Sequence, residues 1–396
     1  MKPRTPAATA ATQVRERWRM GSEARGLVLV SAVLTAFGLA VLYSSSAFVA
    51  MNEHGASTFF FLRQLEGVAA GIVAFALAAK IDAERLREWA WPIMWFTIAT
   101  MTAVLFLPAS IAPTIHGSRR FLLGASFQPS EFGKLGVVVW VSMLIVKKGE
   151  SLKRLSKGLV PFLVIIGLLD VLAAMEPDLS VSMLYTLLMA LLLFVGGARL
   201  SHFIALGAMC LPVTLTRIER WRYALSRITA FLHPGNAPEA VSFQLQQSLI
   251  AVGSGGWFGR GFGEGMQQQF FVPFPYSDFV GSNVGEEWGY LGIAGVTLAF
   301  ALYALLGFRI ARQARTPFLQ LVAVGLTFTT VLTAFLHIGV VIGLLPTTGL
   351  TLPFVSYGRS NLVLTMLFTG ILVNVGSVKE RVVGGAATDP LAIAAA

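Results

Sequence analysis

Residues 27–50 read LVLVSAVLTAFGLAVLYSSSAFVA. No charge interrupts the run, and a helix of this length crosses the ~30 Å hydrocarbon core of a bilayer. The apolar positions are continuous rather than alternating, as a membrane β-barrel would require. The run is too long for a signal peptide and no small-residue cleavage site follows it, so it is expected to stay on the chain. Comparable runs recur at 59–79, 90–108, 129–147, 158–175, 178–197, 201–216, 284–308, 317–344 and 360–378. The expected fold is therefore all-α: a polytopic membrane protein of ten transmembrane helices, with a large extracytoplasmic loop at 217–283 between helices 7 and 8. The domain plan is an N-terminal tail at 1–26, a membrane domain at 27–380 and a C-terminal tail at 381–396.

Composition points the same way. Charged residues make up 13% of the 396 positions, apolar residues 55%, and the mean hydropathy is +0.72. Soluble domains carry about 25% charged residues, so an ordinary cytosolic enzyme is excluded, as are a disordered chain and a collagen-like fibre. A net charge of +10 need not mean nucleic acid, because Lys and Arg collect in the cytoplasmic loops of membrane proteins. With the N-terminus placed in the cytoplasm, 20 of the 30 Lys and Arg fall on that side. Both termini are thus expected to be cytoplasmic, with 109–128, 217–283 and 345–359 outside. The one cysteine, Cys210, sits in an apolar run and excludes a disulfide framework. Five scattered histidines show no metal-ligand spacing. Within the long loop, 239–252 is amphipathic at helical spacing and is expected to lie at the outer interface.

Ionisable groups in or beside membrane spans are candidate functional groups by default. Glu131 and Lys134 share a helix face at the start of the fourth span. They read equally as an internal ion pair or as a place where Lys134 holds an anionic headgroup. Asp178 opens the sixth span after Glu176 and Pro177, where a simple N-cap is the plainer reading. Asp278 follows Pro273-Phe274-Pro275-Tyr276-Ser277. A carboxylate among aromatics and prolines can have a raised pKa and act as a general base, and Ser277-Asp278 can equally cap a helix. The glycine-rich run 253–263 lacks the Lys-Ser/Thr ending and the βαβ setting of a nucleotide loop, so a tight loop approaching a ligand or another segment is expected. The run 345–358, if at membrane depth, must be buried in protein or line a wet cavity. Arg119, Arg120, Arg217, Arg220, Arg222, Arg227 and Arg260 fall in the outer segments. Each alone suits lipid headgroups, and together with a carboxylate they suit a polyanionic lipid-linked substrate.

Several of these stretches, taken in order, are similar to the SEDS family (shape, elongation, division, sporulation). They are Gly117-Ser118-Arg119-Arg120-Phe121, Gln128 to Leu135, Glu176 to Leu179, Gln247 to Gly256, Ser277-Asp278-Phe279 with Glu286-Glu287, and Leu345 to Tyr357. The resemblance runs from about 27 to 380. Thr351 stands where the elongation branch usually has proline, which favours the division branch. The resemblance implies a peptidoglycan glycosyltransferase that polymerises lipid II on the outer face of the cytoplasmic membrane and releases undecaprenyl pyrophosphate. It implies a class B penicillin-binding protein as partner, alongside other division membrane proteins, and no nucleic acid. The family's essential aspartate falls on Asp278. Substrate contacts are expected from Lys134, Arg120, Arg119, Glu131, Ser254, Ser356, Arg217 and Arg220. A divalent cation, Mg or Mn, is left open, since no Asp-x-Asp pair is present. Four positions depart from the family pattern: Phe121 (commonly Trp), Gln268 (Lys nearby), His337 (commonly Asn) and Arg359 (commonly a second Gly). A lipid-linked precursor flippase or a scaffold that only recruits the synthase partner shares the same charge asymmetry, and neither needs Asp278 as a base.

Overall fold

The computed structural model describes residues 14–114, 118–124, 126–154, 158–199, 203, 222–232, 239–269, 271–383 and 386–387. The chain is a multi-pass helical membrane protein. Its helices are α1 (Ser22–His54), α2 (Phe59–Lys80), α3 (Leu86–Phe106), α4 (Pro129–Lys148), α5 (Val160–Met175), α6 (Leu179–Val195), α7 (Arg222–Leu232), α8 (Glu239–Gly255), α9 (Val280–Arg312), α10 (Pro317–Val341) and α11 (Arg359–Val375). Among the described residues, six of them (α1 to α4, α9 and α10) are long and apolar enough to cross a membrane, and α5, α6 and α11 are shorter apolar helices. Each coincides with an expected span to within a few residues. Apart from residue 203, the expected seventh span, 201–216, lies outside the described residues, as do Cys210, Arg217 and Arg220.

The helix ends carry ordinary stop and start chemistry. Pro129 and Pro317 sit in the first turns of α4 and α10, where a missing N–H costs nothing. Thr316 Oγ1 caps α10 by accepting from the Leu319 N–H. Gly55 ends α1 in the left-handed conformation.

Helix α4 is the centre of the bundle, buried from Pro129 to Ile145 except at the half-buried Phe132, and packed by α3, α6, α10 and α11. Its Trp140 is enclosed by Trp91 and Phe162. Helices α2 and α11 approach closely because Gly71 faces Met366 and Gly370 faces the Phe75 backbone. Helix α1 touches the 345–358 segment at Gly38, where any Cβ would strike the Phe354 carbonyl.

Part of the expected N-terminal tail is ordered. Strand β1 (Val14–Met20) pairs antiparallel with β2 (Ser377–Val383), which pairs in turn with β3 (Ala386–Ala387). The start of α1 and the end of α11 therefore sit together, at what is called here the terminal end of the bundle. The opposite, distal end gathers the starts of α2, α4, α6, α9 and α11.

The long loop is not a free excursion. Helix α8 packs on α9 and α10, with Ser248 Oγ donating to the Val341 carbonyl at 3.0 Å. The glycine-rich run closes on α9, as its reading as a tight loop expects. Arg260 and Gly261 donate their backbone N–H groups to the carbonyls of Glu286 and Glu287. Helix α9 breaks at Gly289 (φ 64), which meets the Gly259 backbone. Gly259 itself has φ 81 and lies against the Glu287 carbonyl. Gly259→Ala is therefore expected to lower stability by about 1–3 kcal/mol, the cost of a side chain in a left-handed site. Gly253→Ala, where a Cβ meets nothing, is expected to be neutral or stabilising by up to ~1 kcal/mol. Thermal unfolding in detergent checks the pair, and equal melting of both variants would mean the loop is not locked onto α9.

Candidate functional site

The distal end is built around the segment Pro273–Phe279, just ahead of α9. This segment has little secondary structure of its own, so other elements must hold its backbone. Tyr276 stacks on Phe60 of α2 (centroids 4.5 Å) and meets Tyr357 edge-on. The Tyr276 carbonyl accepts from the Tyr357 N–H at 2.8 Å, and the Ser277 carbonyl accepts from Ser356 Oγ at 2.7 Å. Asn283 Nδ2 donates to the Pro275 carbonyl at 2.8 Å. Helix α9 has Phe279 as its N-cap and no capping side chain there, so the capping alternative for Asp278 is not the one realised.

Asp278 is thereby presented from a fixed turn beneath the 345–358 segment. A Cβ on Gly349 would lie 3.7 Å from Asp278 Oδ2. Burial pushes the Asp278 carboxyl up to about 6, and the negative charge of Asp178 adds to this. The guanidinium charges of Arg120 and Arg227 and a hydrogen bond from Ser277 pull the other way. Arg227, on α7, also donates to the Thr347 carbonyl at 3.0 Å.

Asp178 does two things. Its Oδ1 accepts from the Val181 N–H as the cap of α6, and its Oδ2 lies 3.6 Å from Arg120 Nη1. Gln128 Nε2 reaches the same Oδ2 at 3.4 Å. Arg120 also lies over the Phe121 ring, at 5.4 Å. Beside them Glu176 is fully buried, and neither of its carboxyl oxygens has a hydrogen-bond partner. Burial first, then the Asp178 charge, pushes Glu176 up to about 8, against the pull of Arg120. Burial thus favours the neutral form of Glu176, which sits in a tight turn between α5 and α6.

The other expected site residues lie nearby in different roles. Lys134 Nζ bonds both Glu131 oxygens at 2.7 Å, and both side chains are buried, which is the internal ion-pair arrangement. Arg119 turns to the Leu107 carbonyl at the end of α3. Ser254 Oγ bonds the Ala251 carbonyl of its own helix. Ser356 is buried and clamps the Asp278 turn. Arg120, Asp178, Arg227 and Asp278 form the electrostatic group, whereas Arg119 and Ser254 point elsewhere. The sequence reading gave no role to Gln128 or Glu176, and passed over the span residue Asp170. Asp170 accepts from Thr186 Oγ1 at 2.7 Å. The available signal for Glu176 was a second carboxylate two residues from Asp178 at a helix junction.

Among the described residues no group of three or more His, Cys, Asp or Glu side chains converges as a metal-ligand set. A divalent cation held at Asp278 would take most of its oxygen ligands from phosphate and water, as Mg²⁺ commonly does.

The family model for the cell cycle proteins FtsW, RodA and SpoVE matches residues 24–381. A probable peptidoglycan glycosyltransferase FtsW from Trichlorobacter lovleyi is 32% identical over 366 residues, covering 92% of this chain and 96% of the relative. Stage V sporulation protein E from Bacillus subtilis is 35% identical over 351 residues, covering 88% and 95%. A chain from a structure on the coordination of polymerization and crosslinking by a peptidoglycan synthase complex superposes with a TM-score of 0.72 at 24% identity, covering 89% and 97%. The rod shape determining protein RodA of Thermus thermophilus gives a TM-score of 0.62 at 23% identity, covering 89% and 95%. On the extent of these matches, this chain belongs to the FtsW/RodA/SpoVE family of cell cycle proteins.

Proposed function

We propose that this chain is a peptidoglycan glycosyltransferase that polymerises lipid II, with Asp278 as the general base. The observation that carries the assignment of the base is the setting of Asp278. It is a carboxylate held near pKa 6 on a fixed turn, with the guanidinium charges of Arg120 and Arg227 acting on it. A base of that strength is half ionised near pH 6 and mostly ionised at neutral pH, so it is available there to accept the proton of a sugar hydroxyl. Asp278 takes the proton from the 4-hydroxyl of the acceptor sugar. That oxygen forms a bond to the anomeric carbon of the donor glycan as the carbon–oxygen bond to pyrophosphate breaks. Undecaprenyl pyrophosphate leaves, and an α-linked donor becomes a β-linked product. Arg120 and Arg227 stabilise the charge developing on the leaving group. Lys134 and Glu131 act behind them, as a buried pair whose charges also reach Asp178.

The reading includes ten membrane crossings, the seventh at 201–216, and the domain plan of tail, 27–380 membrane domain and tail. Both termini are cytoplasmic and the distal end is extracytoplasmic, at the division septum. Pairing of β1 with β2, which puts the two ends of the chain on one side of the bundle, supports this topology. The partner is a class B penicillin-binding protein that crosslinks the new strand, within a larger set of division membrane proteins. The likeness to a chain of a peptidoglycan synthase complex supports that pairing.

With its class B partner, wild-type protein is expected to convert purified lipid II to glycan strands. Asp278→Ala and Asp278→Asn are expected to lose at least ~10²-fold in rate, the worth of a positioned base. Equal polymer from all three would remove Asp278 from the chemistry. Lipid II movement across liposomes without polymer would make the chain a flippase. Partner recruitment alone, unaffected by either substitution, would make it a scaffold.

The pH profile is a separate expectation. The working base is the ionised form, so the rate should fall as pH drops through about 6. Arg120→Ala removes a cation that favours the carboxylate, so Asp278 should bind its proton more tightly. The rising limb should then move to higher pH. Initial rates between about pH 5 and about pH 8 read this directly, and a limb that stays in place would show that Arg120 does not act on Asp278.

A further inference from the structure

We propose that Arg359, aided by Ser360, is a positioning residue that holds the segment 119–128 so that Arg120 and Gln128 face Asp178 and Asp278. The inference rests on Asp278 being the base. It starts from an anomaly. Arg359 is the first residue of α11, and a cation at a helix N-terminus opposes the macrodipole. Something local must offset an unfavourable charge that is also largely covered.

The structure shows what surrounds it. Arg359 Nη1 lies 3.3 Å from Glu66 Oε2 on α2, and Nη2 donates to Ser126 Oγ at 2.8 Å. The guanidinium therefore bridges two elements, which its planar fork suits and a lysine's point charge does not. Helix α2 makes room for it: a Cβ at Gly67 would lie 3.2 Å from Arg359 Cγ. The next residue extends the grip. Ser360 Oγ donates to the Ser126 carbonyl at 2.9 Å and accepts from the Gln128 N–H at 3.0 Å.

That grip sits directly behind the electrostatic group. Gln128 Nε2 bonds Ser130 Oγ at 3.1 Å and reaches Asp178 Oδ2, the oxygen that also faces Arg120. The loop from Leu122 to Phe127 closes on itself, with the Leu122 N–H donating to the Phe127 carbonyl at 2.7 Å. A shift at Ser126 is thus passed to Leu122, two residues from Arg120. Arg359 in this scheme touches neither substrate nor Asp278. It acts through the loop.

The experiment uses full-length protein with its class B partner. Variants are Arg359→Gly, Arg359→Lys, Glu66→Gln and Ser126→Ala, with Arg120→Ala alone and combined with Arg359→Gly. Two readouts are taken: amide hydrogen exchange of the 118–128 peptide, and the pH profile of lipid II polymerisation. The groups whose charges or bonds bear on Asp278 are Arg120 and Ser277 from their loops, Arg227 from α7 and Asp178 from the start of α6. Arg359→Gly is expected to speed exchange in 118–128 and to move the rising limb up by roughly half a pH unit, about a threefold loss of rate on its acid side. Arg359→Lys, Glu66→Gln and Ser126→Ala should shift it less, in the same direction. The double variant should shift no further than Arg120→Ala alone. If Arg359→Gly does not fold, the Glu66 and Ser126 variants carry the test. Unchanged exchange overturns the proposal. So does faster exchange with an unmoved limb, or a raised KM with neither change, which would place Arg359 on the substrate itself. If wild type makes no polymer, the glycosyltransferase reading fails and the exchange result decides the positioning by itself.

Discussion

A chain in lipid satisfies its own backbone only while it stays helical. At the distal end this chain gives up helix over 345–358 and yet buries Leu350, Leu352, Pro353, Phe354, Val355 and Ser356. Every N–H and C=O released there needs a protein partner, and the partners found are what organise the site. Gln64 on α2 supplies both halves of its amide, donating to the Ser356 carbonyl and accepting from the Gly358 N–H, each at 3.2 Å. Ser356 Oγ accepts from the Leu352 N–H at 2.8 Å while donating to the Ser277 carbonyl. Satisfying the unwound segment and fixing the Asp278 turn are therefore one set of hydrogen bonds. Phe354, held at φ 64 in the middle of it, is the sort of backbone strain that persists only where the surroundings over-determine the conformation.

Electrostatics at this end is decided by which effect is larger. Two guanidinium charges act on Asp278, and alone they would hold it low. Burial outweighs them, and the carboxyl rises to about 6. Glu176 has Arg120 to help it and Asp178 against it, and with complete burial it rises to about 8. The result is a graded set: Asp278 poised to exchange a proton, Glu176 holding one. Lys134 with Glu131 is internally neutral, so it adds structure to α4 without adding net charge to the cavity. This ordering would collapse in open water, where screening would bring both carboxyls back to ordinary values. Enclosure and chemistry are therefore the same requirement.

The apolar helices were legible because crossing lipid demands continuous apolar sequence: nine of the ten expected runs coincide with described helices to within a few residues, six of them long enough to cross a membrane. At Asp278 the neighbouring prolines and aromatics suggested that its pKa could be raised, while base and helix cap stayed open from the residues alone, and only the family resemblance singled it out. The roles of the remaining polar residues were not. A buried ion pair three residues apart and a lysine reaching for a headgroup have the same sequence, and only packing around α4 separates them. Ser356 looks like a ligand-binding hydroxyl until the Asp278 turn is laid across it. Arg120 and Asp178 belong to different loops, and Gln128 joins them only after α4 and α6 are set side by side. Glu176 drew no role from the sequence, since desolvation, the force that changes its chemistry, is a property of the fold and not of the residues beside it.

His337 shows what the fold requires of a side chain between α9 and the unwound segment. The imidazole Nε2 accepts from the Gly281 N–H at 3.2 Å, and Nδ1 lies 2.7 Å from the Leu350 carbonyl. With an acceptor on one side and a donor on the other, the ring must be the neutral tautomer protonated at Nδ1. An asparagine would offer the same pair: a carbonyl oxygen and an amide N–H. The position therefore requires a neutral side chain that accepts from the start of α9 and donates to the unwound segment. Two different residues meet that requirement. Gly281 fits too, since a Cβ there would stand 3.2 Å from the imidazole. What the fold selects at position 337 is a pattern of one donor and one acceptor between α9 and residue 350, and the chemical identity of the group that supplies it is secondary.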